Sequence, residues 1–202
     1  MVGVSVMSGC PVKCKFCATA KLKKFRNLTA EEIVEQVLFV VERNKQYLPN
    51  NSQEFKINYT RMGEPALNID NVKKAIEKVS SIYPNTHHYV STVGIRGSDF
   101  SWIKDNITLQ LSLHSLDEAR RNDLIPYKNK LTIKELGEIR TQSNLKTTIN
   151  LTLVDEKDFN INELSKYFDK DKFFIKLSPI NKNDISEKNQ LGDGIIQSIN
   201  VL

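Results

Sequence analysis

The sequence predicts an α/β fold in which six parallel strands curl into a partial (β/α)6 barrel. Short apolar runs rich in β-branched residues recur along the chain, and helical stretches with an apolar face lie between most of them. Strands that alternate with helices favour right-handed βαβ units and a parallel sheet. The length of 202 residues suits one domain, so we predict a single domain over residues 1–202.

Each element has its own signal in the sequence. The predicted strands are residues 2–6, 55–60, 89–93, 107–113, 147–154 and 173–177. The clearest helix is 30–43, where Thr29 is a candidate N-cap and Glu32 can close a capping box. Further helices are predicted at 71–80 and, from weaker periodicity, at 116–123, 132–141 and 161–168. From about residue 182 the chain becomes a polar C-terminal tail, in which only 195–202 has the pattern of a short packed element.

The unusual motifs of the chain follow the predicted strands. Ligands of parallel α/β folds bind at the carboxyl ends of the strands. A cysteine-rich loop follows the first strand, and short polar or glycine-containing motifs follow four others, at 62–65, 91–94, 112–114 and 178–181. We therefore expect one site at this end of the barrel.

Composition narrows the class of protein. Hydrophobic residues make up 40% of the chain and charged residues 26%, as in ordinary globular proteins. The apolar stretch at 2–7 is too short for a signal peptide or a membrane span, so we predict no membrane association and a cytoplasmic location. The net charge of +5 permits an anionic partner such as RNA without requiring one.

Three cysteines are the strongest chemical signal. Cys10, Cys14 and Cys17 lie within eight residues, and an odd number of cysteines cannot form a closed disulfide framework. Three thiolates from one loop can bind three irons of a [4Fe–4S] cluster and leave the fourth iron open. A structural zinc site with His114 as fourth ligand, or three unliganded thiols, are the alternatives.

The spacing of these cysteines, with Phe16 before the last one, is the signature of radical S-adenosylmethionine (SAM) enzymes. Beyond it, the chain resembles the RlmN/Cfr family of radical SAM adenine methyltransferases, which act on ribosomal and transfer RNA. The resemblance covers most of the chain and rests on the segments at 14–20, 26–29, 32–37, 62–65, 68–72, 91–94, 111–114 and 124–126.

The resemblance implies a radical SAM barrel that binds a [4Fe–4S] cluster and SAM. The cluster would lie on Cys10, Cys14 and Cys17, and reductive cleavage of SAM would give a 5′-deoxyadenosyl radical that acts on an unknown substrate. Glu64 would take the ammonium group of SAM, and no residue is assigned a catalytic role. The predicted SAM-binding residues are Gly63, Glu64, Ser91, Ser112, Leu113, His114 and, on the adenine or ribose side, Asn181.

The chain departs from the family in the residues that transfer the methyl group. Gly3 stands where the family has a resolving cysteine, and neither the C-terminal segment with the methyl-carrying cysteine nor the N-terminal RNA-binding extension is found in this sequence. All three cysteines are assigned to iron, so no thiol remains to accept a methyl group. We therefore expect the SAM-cleaving core rather than methyl transfer by that mechanism. Arg61 stands where the family usually has a small residue.

The remaining predictions concern partners. A reductant such as flavodoxin or ferredoxin is implied, and RNA or a protein is a possible further partner. Basic residues are concentrated near the cysteines, where they could bind an anionic partner or simply form a solvated surface. They are Lys13, Lys15, Lys21, Lys23, Lys24 and Arg26. Arg120 and Arg121 are a second candidate for contact with an anionic substrate, and His87 and His88 are interpreted as strand-edge residues.

Two other functions stay open from sequence. One is an RNA-modifying enzyme that obtains its missing parts from a second polypeptide. The other is a cluster- or SAM-binding sensor without turnover.

Overall fold

Six parallel strands form the main sheet of a computed structural model that describes residues 1–44, 54–153 and 160–191. A two-stranded antiparallel sheet, β2 with β3, lies beside the start of the chain. In chain order the strands are β1 (Val2–Gly3), β2 (Met7–Ser8), β3 (Arg26–Asn27), β4 (Phe55–Tyr59), β5 (Thr86–Thr92), β6 (Ile107–Ser112), β7 (Thr147–Leu153) and β8 (Phe173–Pro179).

The main sheet has the order β1-β4-β5-β6-β7-β8, and every neighbouring pair is parallel. Each strand of this sheet therefore pairs with the strand that precedes it in the chain, as in a singly wound partial barrel. The predicted α/β fold with six parallel strands is confirmed. The first strand is shorter than predicted, although Val4 continues to pair through its N–H with the carbonyl of Asn58 at 2.8 Å.

Helices connect most of the strands. They are α1 (Ala30–Arg43), α2 (Ile69–Ile82), α3 (Glu118–Leu124), α4 (Ile133–Gly137), α5 (Ile161–Tyr167) and α6 (Asp184–Lys188). The predicted capping box at the start of α1 is present, because Thr29 accepts from the N–H of Glu32 and the Glu32 carboxylate accepts from the N–H of Thr29. No helix is described between β5 and β6, where residues 96–106 form short turns separated by irregular segments.

Burial alternates along the strands and separates two faces of the sheet. In β4, Phe55, Ile57 and Tyr59 are buried, whereas Lys56 and Asn58 between them are partly exposed. The buried face joins the apolar sides of α1 and α2 in the hydrophobic core. The opposite face is polar toward the carboxyl ends of the strands, which places polar side chains inside the barrel.

The segment after β8 differs from the predicted polar tail. Residues 184–188 form α6, which begins at Asn183 with a side-chain cap to the N–H groups of Ile185 and Ser186. Its low apolar content concealed it, because Ile185 is the one apolar residue of the helix. The predicted element at 195–202 lies outside the described residues. None of the described helices combines the length and the apolar character needed to cross a membrane.

Candidate functional site

A cavity of about 440 Å3 opens at the carboxyl ends of the strands. Nine of the ten predicted site residues line it, namely Cys10, Cys14, Cys17, Gly63, Glu64, Ser91, Ser112, His114 and Asn181. The tenth, Leu113, is fully buried and does not line the cavity, although its N–H donates to the carbonyl of Asn150 at 2.9 Å. Motifs that are far apart in sequence therefore form one site.

The cysteine loop is held in place by the elements around it. The N–H of Lys15 donates to the carbonyl of Leu124, the last residue of α3, at 2.9 Å. From α6 and its cap, Asn189 donates to the carbonyl of Lys15 at 2.9 Å, and Asn183 donates to the carbonyl of Phe16 at 3.0 Å. The loop that carries the three thiols is therefore held by hydrogen bonds to its own backbone groups, from α3 and from two asparagine side chains.

The environment of Cys10 and Cys14 favours their neutral thiol form in the absence of a ligand. Burial raises the pKa of Cys10 to about 11 and raises the pKa of Cys14 well above its ordinary value. Binding to iron or zinc requires the thiolate, so it must displace these protons. The chemistry of three thiols on one loop fits an iron–sulfur cluster.

The arrangement of the thiols separates two kinds of metal site. Within the described residues, no three His, Cys, Asp or Glu side chains converge as ligands of a single metal ion. A tetrahedral zinc site needs four ligands on one ion, whereas each thiolate of a cluster binds a different iron. Three thiols on one loop match the requirement of a cluster, in which each thiolate binds its own iron.

Glu64 is a buried carboxylate between two strand ends. Its side chain is 4% exposed, and its two oxygens accept from the N–H groups of Ala66 and Val93, each at 3.0 Å. Burial raises its pKa, and the hydrogen bonds from Thr92, Val93 and Ala66 partly oppose that effect. No cation within the described residues forms a salt bridge with it. A ligand with an ammonium group would complement this carboxylate.

Gly63 allows the chain to turn tightly beneath Glu64. Its φ of +102° lies in a region that other residues rarely adopt, and a Cβ there would lie 2.6 Å from the side chain of Met7. Both the backbone and the packing therefore require glycine at this position.

His114 is a neutral imidazole at the wall of the cavity. Its Nδ1 accepts from the N–H of Thr152 at 3.0 Å, and its ring meets that of Phe16 edge to face at 4.7 Å. Burial, and secondarily the charge of Arg121, lower its pKa to about 3. Because Nδ1 accepts, the proton of the neutral ring is on Nε2, which makes Nε2 a hydrogen-bond donor.

Several lining residues were missed by the sequence analysis. They are polar side chains at alternate positions of the strands, and they lie outside the motifs that the sequence analysis singled out. These residues are Asn58, Gln110, Asn150, Thr152 and Lys176. In β5 and β6, Ser91 donates to Gln110 at 2.7 Å. Period-two alternation in otherwise apolar strands was the available signal.

Arg121 is fully buried, so it cannot contact an anionic substrate in the cavity, and that part of the prediction is wrong. It donates to the carbonyl of Leu131 at 2.6 Å and to that of Val93 at 2.8 Å. Burial lowers its pKa to about 10, so the guanidinium stays charged at neutral pH. Arg121 ties α3 to the strand end that also holds Glu64. Arg120 is partly exposed and lies 3.6 Å from Asp123.

The basic surface near the cysteines is partly neutralised within the chain. Lys15 pairs with Asp123, Lys21 with Asp184 at 3.6 Å and Arg26 with Glu32 at 2.6 Å. Lys13 donates to the carbonyls of Ala20 and Leu22. Much of the predicted positive charge therefore serves local structure.

The two histidines of β5 lie in an interior strand rather than at the edge of the sheet. His88 is fully buried, and its ring nitrogens lie 3.0 Å from the hydroxyl of Tyr59 and 2.9 Å from that of Ser80. His87 is half-buried, 2.8 Å from the hydroxyl of Thr108. Neither lines the cavity.

A singly wound partial barrel, with three thiols and a buried carboxylate at one end, defines the class of radical SAM proteins. The profile described as the Radical SAM superfamily matches residues 4–167. The chain belongs to the radical SAM superfamily.

Within that superfamily its core resembles RlmN. It is 35% identical over 191 residues to the probable dual-specificity RNA methyltransferase RlmN of Pseudothermotoga lettingae, covering 88% of this chain and 54% of that protein. It is 34% identical over 201 residues to the protein of the same name from Flavobacterium psychrophilum, covering 96% of this chain and 57% of that one. The chain thus spans about half the length of these relatives.

Solved structures agree on the fold. A radical SAM methyltransferase from Sphaerobacter thermophilus superposes with a TM-score of 0.67 at 22% identity, over 93% of this chain and 61% of that one. SuiB of Streptococcus suis bound to S-adenosylmethionine gives a TM-score of 0.55 at 20% identity, over 94% of this chain and 45% of that one.

Proposed function

We propose that this chain is a radical SAM enzyme that cleaves SAM reductively at a [4Fe–4S] cluster and begins radical chemistry on a substrate. The observation that carries the proposal is the convergence of the three thiols with Glu64 and His114 on one cavity. When bound, the cluster supplies the electron that breaks a sulfur–carbon bond of SAM, which yields methionine and a 5′-deoxyadenosyl radical.

The residues of this chain would bind and orient the cofactors. Cys10, Cys14 and Cys17 would hold the cluster as thiolates. Glu64, already fixed by two backbone N–H groups, would accept the ammonium group of SAM without needing to reorient. His114 would offer its Nε2–H as a neutral donor, since its pKa of about 3 prevents protonation at neutral pH. Asn181, which also lines the cavity, would contact the adenine or ribose.

The relatives support a second candidate, an RNA-modifying enzyme. The curated relatives carry the name RNA methyltransferase, but this chain spans only about half of their length. The cysteines needed for the family's methyl transfer would then come from another polypeptide. A reductant such as flavodoxin or ferredoxin is needed under either candidate.

Measurement of 5′-deoxyadenosine tests the proposal. The protein is reconstituted anaerobically with iron and sulfide, reduced with dithionite and given SAM, and the product is measured by mass spectrometry. We expect product from the parent and from the control Ser8→Ala, an exposed residue outside the cavity, but none from Cys14→Ala.

A reconstituted parent that binds SAM and yields no 5′-deoxyadenosine would contradict the proposal and favour a sensor. Product that forms only after a co-purified polypeptide and RNA are added would favour the second candidate.

A further inference from the structure

Arg61 occupies space that Gly3 leaves open. A Cβ at Gly3 would lie 2.7 Å from Nε of Arg61, 3.2 Å from its Cγ and 3.3 Å from its Cδ. The side chain of Arg61 therefore lies along β1, one edge of the main sheet, and it also lines the cavity. Any residue larger than glycine at position 3 would displace this guanidinium.

A second cation lines the cavity from the other edge of the sheet. Lys176 lies on β8, is exposed and pairs in register with Asn150 of β7. Within the described part of the chain, the side chains of Arg61 and Lys176 make no hydrogen bond or salt bridge. An unpaired cation thus flanks the cavity on each side.

The carboxylate that lines the cavity already accepts hydrogen bonds from the backbone. Glu64 is the acidic residue among those that line it, and both of its oxygens accept backbone N–H groups. Among the described residues, the two cations therefore have no carboxylate partner inside the cavity. Their positive charge would raise the local concentration of an anion.

Two amides accompany the cations. The side-chain oxygens of Asn58 and Asn150 are buried and have no hydrogen-bond partner. Asn58 lies three residues before Arg61, and Asn150 is the register partner of Lys176. A buried polar atom without a partner is destabilising, so a ligand that carries N–H or O–H groups beside its anionic group would satisfy both amides.

We propose that Arg61 and Lys176 form an anion-binding subsite of the cavity and that the substrate carries a phosphate or carboxylate group. The inference rests on the proposed function, because it assumes that the substrate enters this cavity. A guanidinium presents two parallel donors that match either anion, and Lys176 adds a second charge. SAM has a carboxylate of its own, which is the competing source of the same chemistry.

Binding of inorganic pyrophosphate tests the subsite. The SAM-loaded protein, freed of excess iron, is titrated calorimetrically at low ionic strength. We expect Arg61→Gln and Lys176→Gln each to weaken binding at least tenfold. The controls are Arg140→Gln and Lys104→Gln, exposed residues that do not line the cavity, and they should stay within twofold of the parent. A parent that does not bind pyrophosphate, or controls that lose affinity equally, would overturn the proposal.

Gly3→Ala tests the position of the Arg61 side chain without removing its charge. The backbone of Gly3 is not left-handed, so alanine is tolerated there, but its methyl group must displace the flexible end of Arg61. We expect Gly3→Ala to lower pyrophosphate affinity severalfold with the net charge unchanged, and the double variant Gly3→Ala/Arg61→Gln to bind no more weakly than Arg61→Gln alone. Additive losses would contradict placement of Arg61 by Gly3.

The source of the anion is tested with SAM and with 5′-methylthioadenosine, which lacks the amino-acid group. We expect Arg61→Gln to leave the affinity for both within twofold. A tenfold loss for SAM alone would assign Arg61 to the SAM carboxylate and overturn the proposal. Formation of 5′-deoxyadenosine is scored separately, so failure of the proposed function is distinguishable from failure of the subsite.

Discussion

The imidazole of His88 lies between the hydroxyl groups of Tyr59 and Ser80 inside the main sheet. One of its ring nitrogens accepts and the other donates, which satisfies the ring only in its neutral form. Burial, and then the charge of His87, lower its pKa to about 4. This histidine therefore links α2 to β4 and β5 through polar contacts in an otherwise apolar layer.

The depressed pKa of His88 predicts that stability falls in mild acid. Between about pH 6.5, the ordinary value for histidine, and pH 4, the unfolded chain binds the additional proton, so the free energy of unfolding decreases as pH falls. We expect His88 to account for a loss of about 3 kcal/mol by pH 4. Urea denaturation at pH 7, 5.5 and 4 measures it.

His88→Asn is the variant for this test. It should lower stability at pH 7, because the hydroxyl of Tyr59 loses its partner, and it should flatten the dependence on pH. An equally steep loss of stability in the variant would show that other groups cause it.

At the scale of elements, α3 is anchored by one buried side chain. Arg121 donates to the carbonyls of Val93 and Leu131, and Val93 also donates its N–H to Glu64. The backbone of Val93 is therefore held at both of its polar groups, the C=O by the guanidinium of α3 and the N–H by the carboxylate of the cavity. Arg121 acts on the site through Val93 rather than by touching a ligand.

Loss of Arg121 should destabilise the protein. In Arg121→Met the two buried carbonyls lose their donors, and we expect the free energy of unfolding to fall by about 3 kcal/mol. Arg120→Met, in the same helix but partly exposed, should change it by less than about 1 kcal/mol. Chemical denaturation of both variants at pH 7 decides this, and equal effects would argue against the special role of Arg121.

The elements also show what sequence can and cannot predict. Strands such as β6 and α1 with its capping box are predictable, because apolar periodicity and cap residues are local signals. The start of β5 at Thr86 and the helix α6 are not, because polar residues buried by partners distant in sequence interrupt the apolar pattern. The burial of Arg121 could not be predicted for the same reason. Its charge suggests a surface position, but its hydrogen-bond partners are the carbonyls of Val93 and Leu131.

For the whole molecule, the contacts between the cysteine loop and α6 connect opposite ends of the described chain. Asn183 and Asn189 both donate to carbonyls of the loop. We expect the double variant Asn183→Ala/Asn189→Ala to exchange amide hydrogens faster at residues 15–17 and to retain the protection of β5 and β6. Hydrogen exchange with mass spectrometry measures this.

The matched control for the α6 variant is Asn144→Ala, which removes a side chain bound to Asp105 far from the loop. It should leave exchange at the cysteine loop unchanged. Faster exchange at the loop in this control as well would indicate a general loss of stability instead of a local clamp.

The same clamp sets an order of assembly. The hydrogen bonds from Asn183 and Asn189 to the cysteine loop span 167 and 174 residues of sequence. Such long-range contacts form late in folding, because most of the chain must be ordered before they can close. During synthesis the three thiols emerge well before Asn183 and Asn189, so the loop that presents them gains these two hydrogen bonds only after residue 189 has been made. Under the proposed function, iron and sulfide would therefore be delivered after nearly the whole described chain has been translated.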